Sequence, residues 1–143
     1  MSRFLHVMLR VRDLDKSVEF YTQGVGMHEL RRKDYPEGEF TLVFLGFGPE
    51  KTETALELTH NWGKDDYVNG TAYGHLAFGV DDLEAAYEHS LKHGGTAKVP
   101  PKVFGSGTRL AFVKDPDGYL LELIEYHEGM PAGVPDPKAV DRP

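Results

Sequence analysis

Two histidines and two glutamates recur at equivalent places in the sequence. Each histidine opens a similar apolar segment, HVMLRVRDL at 6–14 and HLAFGVDDL at 75–83, and each glutamate lies between leucines, in ALEL at 55–58 and LLEL at 120–123. Burying a lone carboxylate in apolar surroundings is costly unless a cation or a hydrogen-bond donor meets it. The repeat therefore favours a single metal site with four protein ligands: His6, Glu57, His75 and Glu122.

The ligand types limit the metal and its use. Imidazole and carboxylate groups suit Ni, Co, Mn, Fe or Zn and disfavour Cu(I). Structural zinc sites are usually rich in cysteine, and the chain contains none. An octahedral ion with four protein ligands would keep two positions for the oxygens of a chelating substrate, such as an enediolate. The ligand set therefore predicts a catalytic metal site.

A duplicated unit of one strand, one helix and three strands would position these residues. Alternating side chains predict a strand at 4–11, and Asp13 is placed to cap the helix that follows. Asp82 has the same place in the second copy. The other strands located by pattern lie at 40–47, 53–60, 74–80, 108–114 and 119–126.

The same pattern predicts a single domain of two modules. Residues 62–72 are polar and contain two glycines, which is typical of a linker, and four prolines after His127 predict a loosely ordered tail. The predicted organisation is a domain at 1–126, with module one at about 4–61, the linker at about 62–72 and module two at about 73–126, then the tail at 127–143.

The two copies differ four residues beyond the predicted ligands. Arg10 follows His6 on the same face of its strand, about 13 Å along, and Asn61 follows Glu57 with the same spacing. If these strands are parallel neighbours, the guanidinium and the amide lie side by side and suit a carboxylate. The equivalent residues in module two are Gly79 and Tyr126. The simpler alternative is a solvated arginine at a strand end and an asparagine in a turn.

Composition excludes several classes of protein. The net charge is −7 without a cluster of Lys or Arg, which argues against nucleic acid or an anionic membrane as the main partner. The sequence has no run of 18 apolar residues that would predict a membrane span, and its first residues do not resemble a signal peptide. We therefore expect a cytoplasmic protein.

Four motifs resemble those of the glyoxalase I (lactoylglutathione lyase) family: LHVMLRVRDLDKSVEFY at 5–21, ELTHNWG at 57–63, GTAYGHLAFGVDD at 70–82 and AFVKDPDGYLLELIE at 111–125. The resemblance runs to about residue 126. It implies an α+β protein with the vicinal oxygen chelate fold, made of two βαβββ modules. It also implies metal ligands at His6, Glu57, His75 and Glu122, with glutathione held partly by Arg10 and Asn61.

The resemblance further implies the reaction, the metal and the assembly. The reaction isomerises the hemithioacetal of methylglyoxal and glutathione to S-lactoylglutathione, with Glu122 as the base and Glu57 as a second acid/base for the other enantiomer. Zinc-type relatives often have Gln in place of His6, so the resemblance favours one Ni or Co ion per site, with Zn possible. Family members are commonly homodimers, which would take His6 and Glu57 from one chain and His75 and Glu122 from the other.

Other functions are open to the same fold. A metal-dependent thiol transferase acting on an antibiotic typically uses two His and one Glu, which would leave Glu57 without a role. An acyl-CoA epimerase tends to have Gln as its fourth ligand, and a non-enzymatic drug-binding module needs no metal set. The chain also departs from relatives of glyoxalase I at Thr71, where zinc-type members have Arg, and at Phe104, where a Lys is expected.

Overall fold

Two four-stranded sheets, one from each half of the chain, form the framework of the protein. The computed structural model describes residues 1–105 and 107–127. The predicted tail beyond His127 lies outside the described residues. Among the described residues, no helix is long and apolar enough to cross a membrane.

Each half follows the order strand, helix, three strands. In the first half these are β1 (His6–Arg10), α1 (Leu14–Glu19, continued by a π-helical turn at Phe20–Gly24), β2 (His28–Tyr35), β3 (Phe40–Gly46) and β4 (Ala55–Asn61). In the second half they are β5 (Leu76–Val80), α2 (Leu83–Lys92), β6 (Thr96–Phe104), β7 (Thr108–Lys114) and β8 (Leu120–Glu125). The predicted α+β fold of two βαβββ modules is confirmed.

The sheets have the same topology and the same register. Their strand orders are β1-β4-β3-β2 and β5-β8-β7-β6, and in each sheet the first strand pairs in parallel with the last. Arg10 lies opposite Thr59 in the first sheet, and Gly79 lies opposite Ile124 at the equivalent place in the second. Residues that match in the sequence repeat therefore have matching neighbours in space.

The predicted helix caps are present in both modules. The Asp13 carboxylate accepts a hydrogen bond from the backbone N–H of Lys16 at 3.1 Å. The Asp82 carboxylate accepts one from Ala85 at 3.0 Å. Each cap satisfies a backbone donor that the first helical turn leaves free, so each helix begins three or four residues after the end of the preceding strand.

In each module, the first of the three strands after the helix was not located by sequence pattern. β2 and β6 each lie at one edge of their sheet, and most of their side chains are exposed on both faces, so they lack the apolar alternation of a half-buried strand. β6 also contains Pro100 and Pro101 and has two register irregularities against β7. Bulges and prolines are typical of sheet edges.

One face of each sheet packs into a shared core under the helices. This core contains Leu9 in β1 and Val11 just after it, together with Leu56 and Leu58 from β4 and Val113 from β7. Because side chains alternate along a strand, the residues between them lie on the opposite face. That opposite face carries His6, Arg10 and Glu57 in the first module.

A buried hydrogen bond joins the two modules. The Tyr21 hydroxyl, at the π-helical turn, donates to Asp115 Oδ2 at 2.7 Å. The other oxygen of Asp115 accepts the backbone N–H groups of Asp117 and Tyr119, both at 2.9 Å, and so shapes the tight turn before β8. Burial outweighs these hydrogen bonds and raises the pKa of Asp115 to about 6.

We predict that Asp115→Asn removes a pH-dependent part of the stability. The pKa of Asp115 is higher in the folded state than its usual 3.8, so its contribution is greatest below about pH 4 and is lost as the pH rises through about 6. The free energy of unfolding of the wild type, relative to Asp115→Asn, should fall by about 2 kcal/mol between pH 4 and pH 7, most of the full effect expected at 1.36 kcal/mol per pKa unit. Urea unfolding at pH 4 and pH 7 measures it, and an equal difference at both pH values would contradict the prediction.

Candidate metal centre

The first predicted ligand pair comes together across the parallel strands β1 and β4. Glu57 lies opposite Met8, two residues along the strand from His6, on the same face of the sheet. His6 Nε2 and Glu57 Oε2 are 2.9 Å apart. The imidazole is 42% exposed, so the pair lies at the surface of the chain.

The second pair repeats this arrangement in module two. His75 immediately precedes β5, and Glu122 lies opposite Ala77 on β8. His75 Nε2 and Glu122 Oε2 are 3.2 Å apart. The Glu122 side chain is only 2% exposed, which makes the presence of a nearby positive charge favourable.

A phenylalanine holds each imidazole from the side. Phe44 on β3 lies opposite Glu57, and its ring centroid is 5.6 Å from that of His6 in an edge-to-face contact. Phe112 on β7 lies opposite Glu122 and contacts His75 at the same distance. Neither ring was predicted from the sequence, although FTLVF at 40–44 and TRLAF at 108–112 are a recognisable repeat.

The separations within the two pairs fit a shared metal ion. Nitrogen and oxygen ligands at about 2.1 Å from an ion, at right angles to each other, lie about 3 Å apart. The observed 2.9 Å and 3.2 Å are close to this value. Two carboxylates also balance the charge of a divalent ion. The donors present therefore fit a divalent metal, although an imidazolium–carboxylate pair gives a similar distance.

A single chain does not bring the two pairs together. Within residues 1–105 and 107–127, no three His, Asp or Glu side chains are grouped closely enough to hold one ion. His75 and Glu122 line an open cavity of about 750 Å³, whose other walls include Phe4, Val7 and Ala55 from module one. The structure thus presents two separate His–Glu pairs.

Arg10 and Asn61 occupy the far end of the strands that carry His6 and Glu57. Arg10 lies opposite Thr59, and Asn61 is two residues further along β4, which is the same diagonal that joins His6 to Glu57. In module two this diagonal joins Gly79 and Tyr126, where a Cβ on the glycine would lie 3.0 Å from that of the tyrosine. The equivalent register therefore makes Arg10 and Asn61 diagonal neighbours on the same face in module one.

The modules also differ in the side chains around their ligand pairs. In module two, Phe112 belongs to an apolar cluster with Phe104 and Leu110. In module one, the Arg31 guanidinium lies 3.6 Å from the centroid of the Phe44 ring. The hydrogen bonds that Arg31 donates to Glu50 lower the pKa of the Glu50 carboxyl, so the Arg31–Glu50 pair stays ionised near neutral pH. The surroundings of the His75–Glu122 pair are therefore apolar, whereas those of the His6–Glu57 pair include a charged side chain.

The position of Phe104 reflects the same difference. The ring is buried in the apolar cluster, and the amine of Lys102 lies 4.4 Å from its centroid. A lysine in this position would place its charge among apolar side chains. The chain instead keeps a cation two residues away, at the exposed edge of the cluster.

Comparison with known sequences gives a consistent set of relatives. The family model described as the Glyoxalase/Bleomycin resistance protein/Dioxygenase superfamily matches residues 3–123. The lactoylglutathione lyase of Neisseria meningitidis serogroup B is 51% identical over 129 residues, which are 89% of this chain and 93% of the relative. That of Escherichia coli O157:H7 is 51% identical over 125 residues, 86% and 92% of the two chains.

Solved structures with the same architecture are also similar in sequence. Glyoxalase I from Zea mays superimposes with a TM-score of 0.84 at 44% identity, covering 88% of this chain. This chain spans 45% of the length of the maize protein. The trypanothione-dependent glyoxalase I of Leishmania major has a TM-score of 0.78 at 47% identity, with 87% of each chain covered.

We predict that removing a histidine from either pair sharply lowers metal binding, as expected if all four side chains hold one ion. After equilibrium dialysis against Ni²⁺, elemental analysis should find about one ion per wild-type chain and far less in His6→Ala and in His75→Ala. His89→Ala, which removes an exposed imidazole on α2, is the control and should bind like the wild type. If each pair binds its own ion, the wild type will hold about two ions per chain and each variant about one.

Proposed function

This chain belongs to the glyoxalase/bleomycin resistance protein/dioxygenase superfamily, and we propose that it is a lactoylglutathione lyase that detoxifies methylglyoxal. It isomerises the hemithioacetal of methylglyoxal and glutathione to S-lactoylglutathione. Support comes from relatives of that name at about half identity over most of both chains. The observation that carries the proposal is the second His–Glu pair, because a repeated pair at the same register gives the four ligands of one site.

A divalent ion held by His6, Glu57, His75 and Glu122 completes the proposed site. Two imidazoles and two carboxylates suit nickel or cobalt, and zinc is also possible. When bound, the ion supplies a Lewis acid that stabilises negative charge developing on substrate oxygens. Phe44 and Phe112 fix the orientation of the two imidazoles through their edge contacts.

We propose that each site lies between two copies of the chain, with His6 and Glu57 from one and His75 and Glu122 from the other. Separation of the pairs within the chain supports this arrangement. A second support is apolar surface near the cavity, since Phe4 and Phe47 on its rim are 68% and 53% exposed. Exposed apolar side chains beside a site are typical of surfaces that bind a partner.

Glu122 is the proposed base. It removes the proton from the carbon bonded to sulfur and returns it to the neighbouring carbon, so the hemithioacetal becomes a hydroxy thioester without gain or loss of atoms. Its 2% exposure keeps water away from the transferred proton. Glu57, at the equivalent place, would act as a second acid/base for the other enantiomer.

Arg10 and Asn61 would hold the glutathione part of the substrate. A guanidinium and an amide at the far end of the same face suit the carboxylate and the ammonium of the γ-glutamyl group. We place the reaction in the cytoplasm, where glutathione is kept reduced.

Glu122→Gln should separate metal binding from chemistry. An amide oxygen still reaches the ion but does not accept a proton, so we expect metal content to be largely retained and turnover to fall at least about 100-fold. The control is Glu125→Gln, three residues along β8, whose carboxylate pairs with Arg109. Thioester formation from methylglyoxal and glutathione is measured with metal-free protein reloaded with nickel, cobalt or zinc. Full activity of Glu122→Gln would exclude it as the base, and no product from the wild type with any metal would refute the lyase.

Mixing two inactive variants tests whether the site is shared. After unfolding and refolding a mixture of His6→Ala and His75→Ala, half of the dimers should be mixed, each with one intact site, which restores about a quarter of wild-type activity. A mixture of His6→Ala with Glu57→Ala, which both remove a ligand from the same pair, has no intact site and is the matched control. If each site forms within one chain, neither mixture will recover.

A further inference from the structure

The linker between the modules folds back onto the end of β4. Tyr67, within the linker at 62–72, accepts a hydrogen bond from Asn61 Nδ2 through its hydroxyl oxygen at 2.8 Å. Both side chains are partly buried. This contact uses one of the two amide hydrogens of Asn61, which leaves the carbonyl oxygen and the second N–H available. The free pair matches a ligand that carries both an ammonium and a carboxylate.

Arg12 holds the backbone of this part of the linker. Its Nε donates to the carbonyl oxygen of Asp65 at 2.8 Å, and its Nη2 donates to that of Tyr67. The guanidinium carbon also lies 5.6 Å from the centroid of the Tyr67 ring. One planar side chain therefore fixes both the path of the linker and the place of the tyrosine.

Asp117 in module two fixes Arg12 in turn. Asp117 Oδ1 accepts the backbone N–H of Arg12 at 2.9 Å and its Nη1 at 3.2 Å. Asp117 Oδ2 accepts the Ser17 hydroxyl at 3.2 Å. The Asp117 side chain is 3% exposed, and hydrogen bonds between charged partners are stronger than neutral ones.

We propose that Tyr67 is a positioning residue that orients the Asn61 amide toward the γ-glutamyl end of glutathione, and that the Arg12–Asp117 pair holds Tyr67 in place. This inference rests on the proposed function, since it assigns Asn61 to the substrate. Tyr67 itself does not touch the reacting atoms. It acts by leaving Asn61 with a single rotamer and a single arrangement of donor and acceptor before the substrate arrives, which lowers the entropic cost of binding.

Tyr67→Phe tests the proposal because it removes only the hydroxyl. We expect the KM for the methylglyoxal–glutathione hemithioacetal to rise about five-fold, in line with the loss of one hydrogen bond, while kcat and metal content stay unchanged. Tyr87→Phe, which removes a hydroxyl from α2, is the matched control. With the hemithioacetal of cysteinylglycine, which lacks the γ-glutamyl group, Tyr67→Phe should equal the wild type.

Two further measurements separate positioning from a structural role. In an Asn61→Ala background, Tyr67→Phe should have no additional effect on KM. Calorimetric titration with S-methylglutathione should show the same weakening of binding, and this readout does not depend on turnover. The proposal is overturned if Tyr67→Phe leaves KM and S-methylglutathione binding unchanged, if it acts equally on the cysteinylglycine substrate, or if its effect adds fully to that of Asn61→Ala. Failure of the lyase itself is a different result, because the wild type would then form no thioester.

Discussion

The parallel pairing between the first and last strand of each module is the constraint on which the rest of the site depends. It places a histidine at the start of one strand diagonally beside a glutamate in the middle of the next, in both sheets at the same register. A slip by one residue would turn the glutamate to the other face of the sheet. Leu56 and Leu58 oppose such a slip because they flank Glu57 and are buried in the core. The apolar packing that stabilises the fold thus also fixes the register of the two His–Glu pairs.

The two modules differ at positions away from the His–Glu pairs. In module two, Tyr126 packs against Gly79 and fills the end of the diagonal. In module one, Arg10 and Asn61 occupy the equivalent place, so polar groups remain available for a ligand. The surroundings of the two pairs also differ, since Phe104 extends an apolar cluster in module two while Arg31 covers Phe44 in module one. A site with one ligand pair from each module therefore has two chemically different sides, which gives an elongated substrate a single direction.

Sequence patterns located the features that rest on local chemistry. The alternating strands and the caps at Asp13 and Asp82 depend on residues a few positions apart, and the recurring histidines and glutamates are recognised by their flanking residues. β2 and β6 were not located because most of their side chains are exposed on both faces, which removes the apolar alternation. The role of the linker was also hidden, because the contact of Arg12 with Asp117 joins residues 105 positions apart. Neither residue type nor spacing indicates which distant loop a charged side chain will hold.

The turn before β8 connects the modules in a way that the duplication alone does not require. Asp115 holds Tyr21 and Asp117 holds Arg12, while the Tyr119 hydroxyl donates to the carbonyl oxygen of Arg10 at 2.9 Å. Module two therefore supports the end of module one that carries Arg10 and Asn61, within the same chain. In the proposed dimer, module two also offers its own ligand pair to the other copy. Each site would then depend on two different contacts of module two, one that positions the glutathione end within a chain and one that completes the metal between chains. This explains why the turn keeps two buried carboxylates despite the free energy that burying them costs.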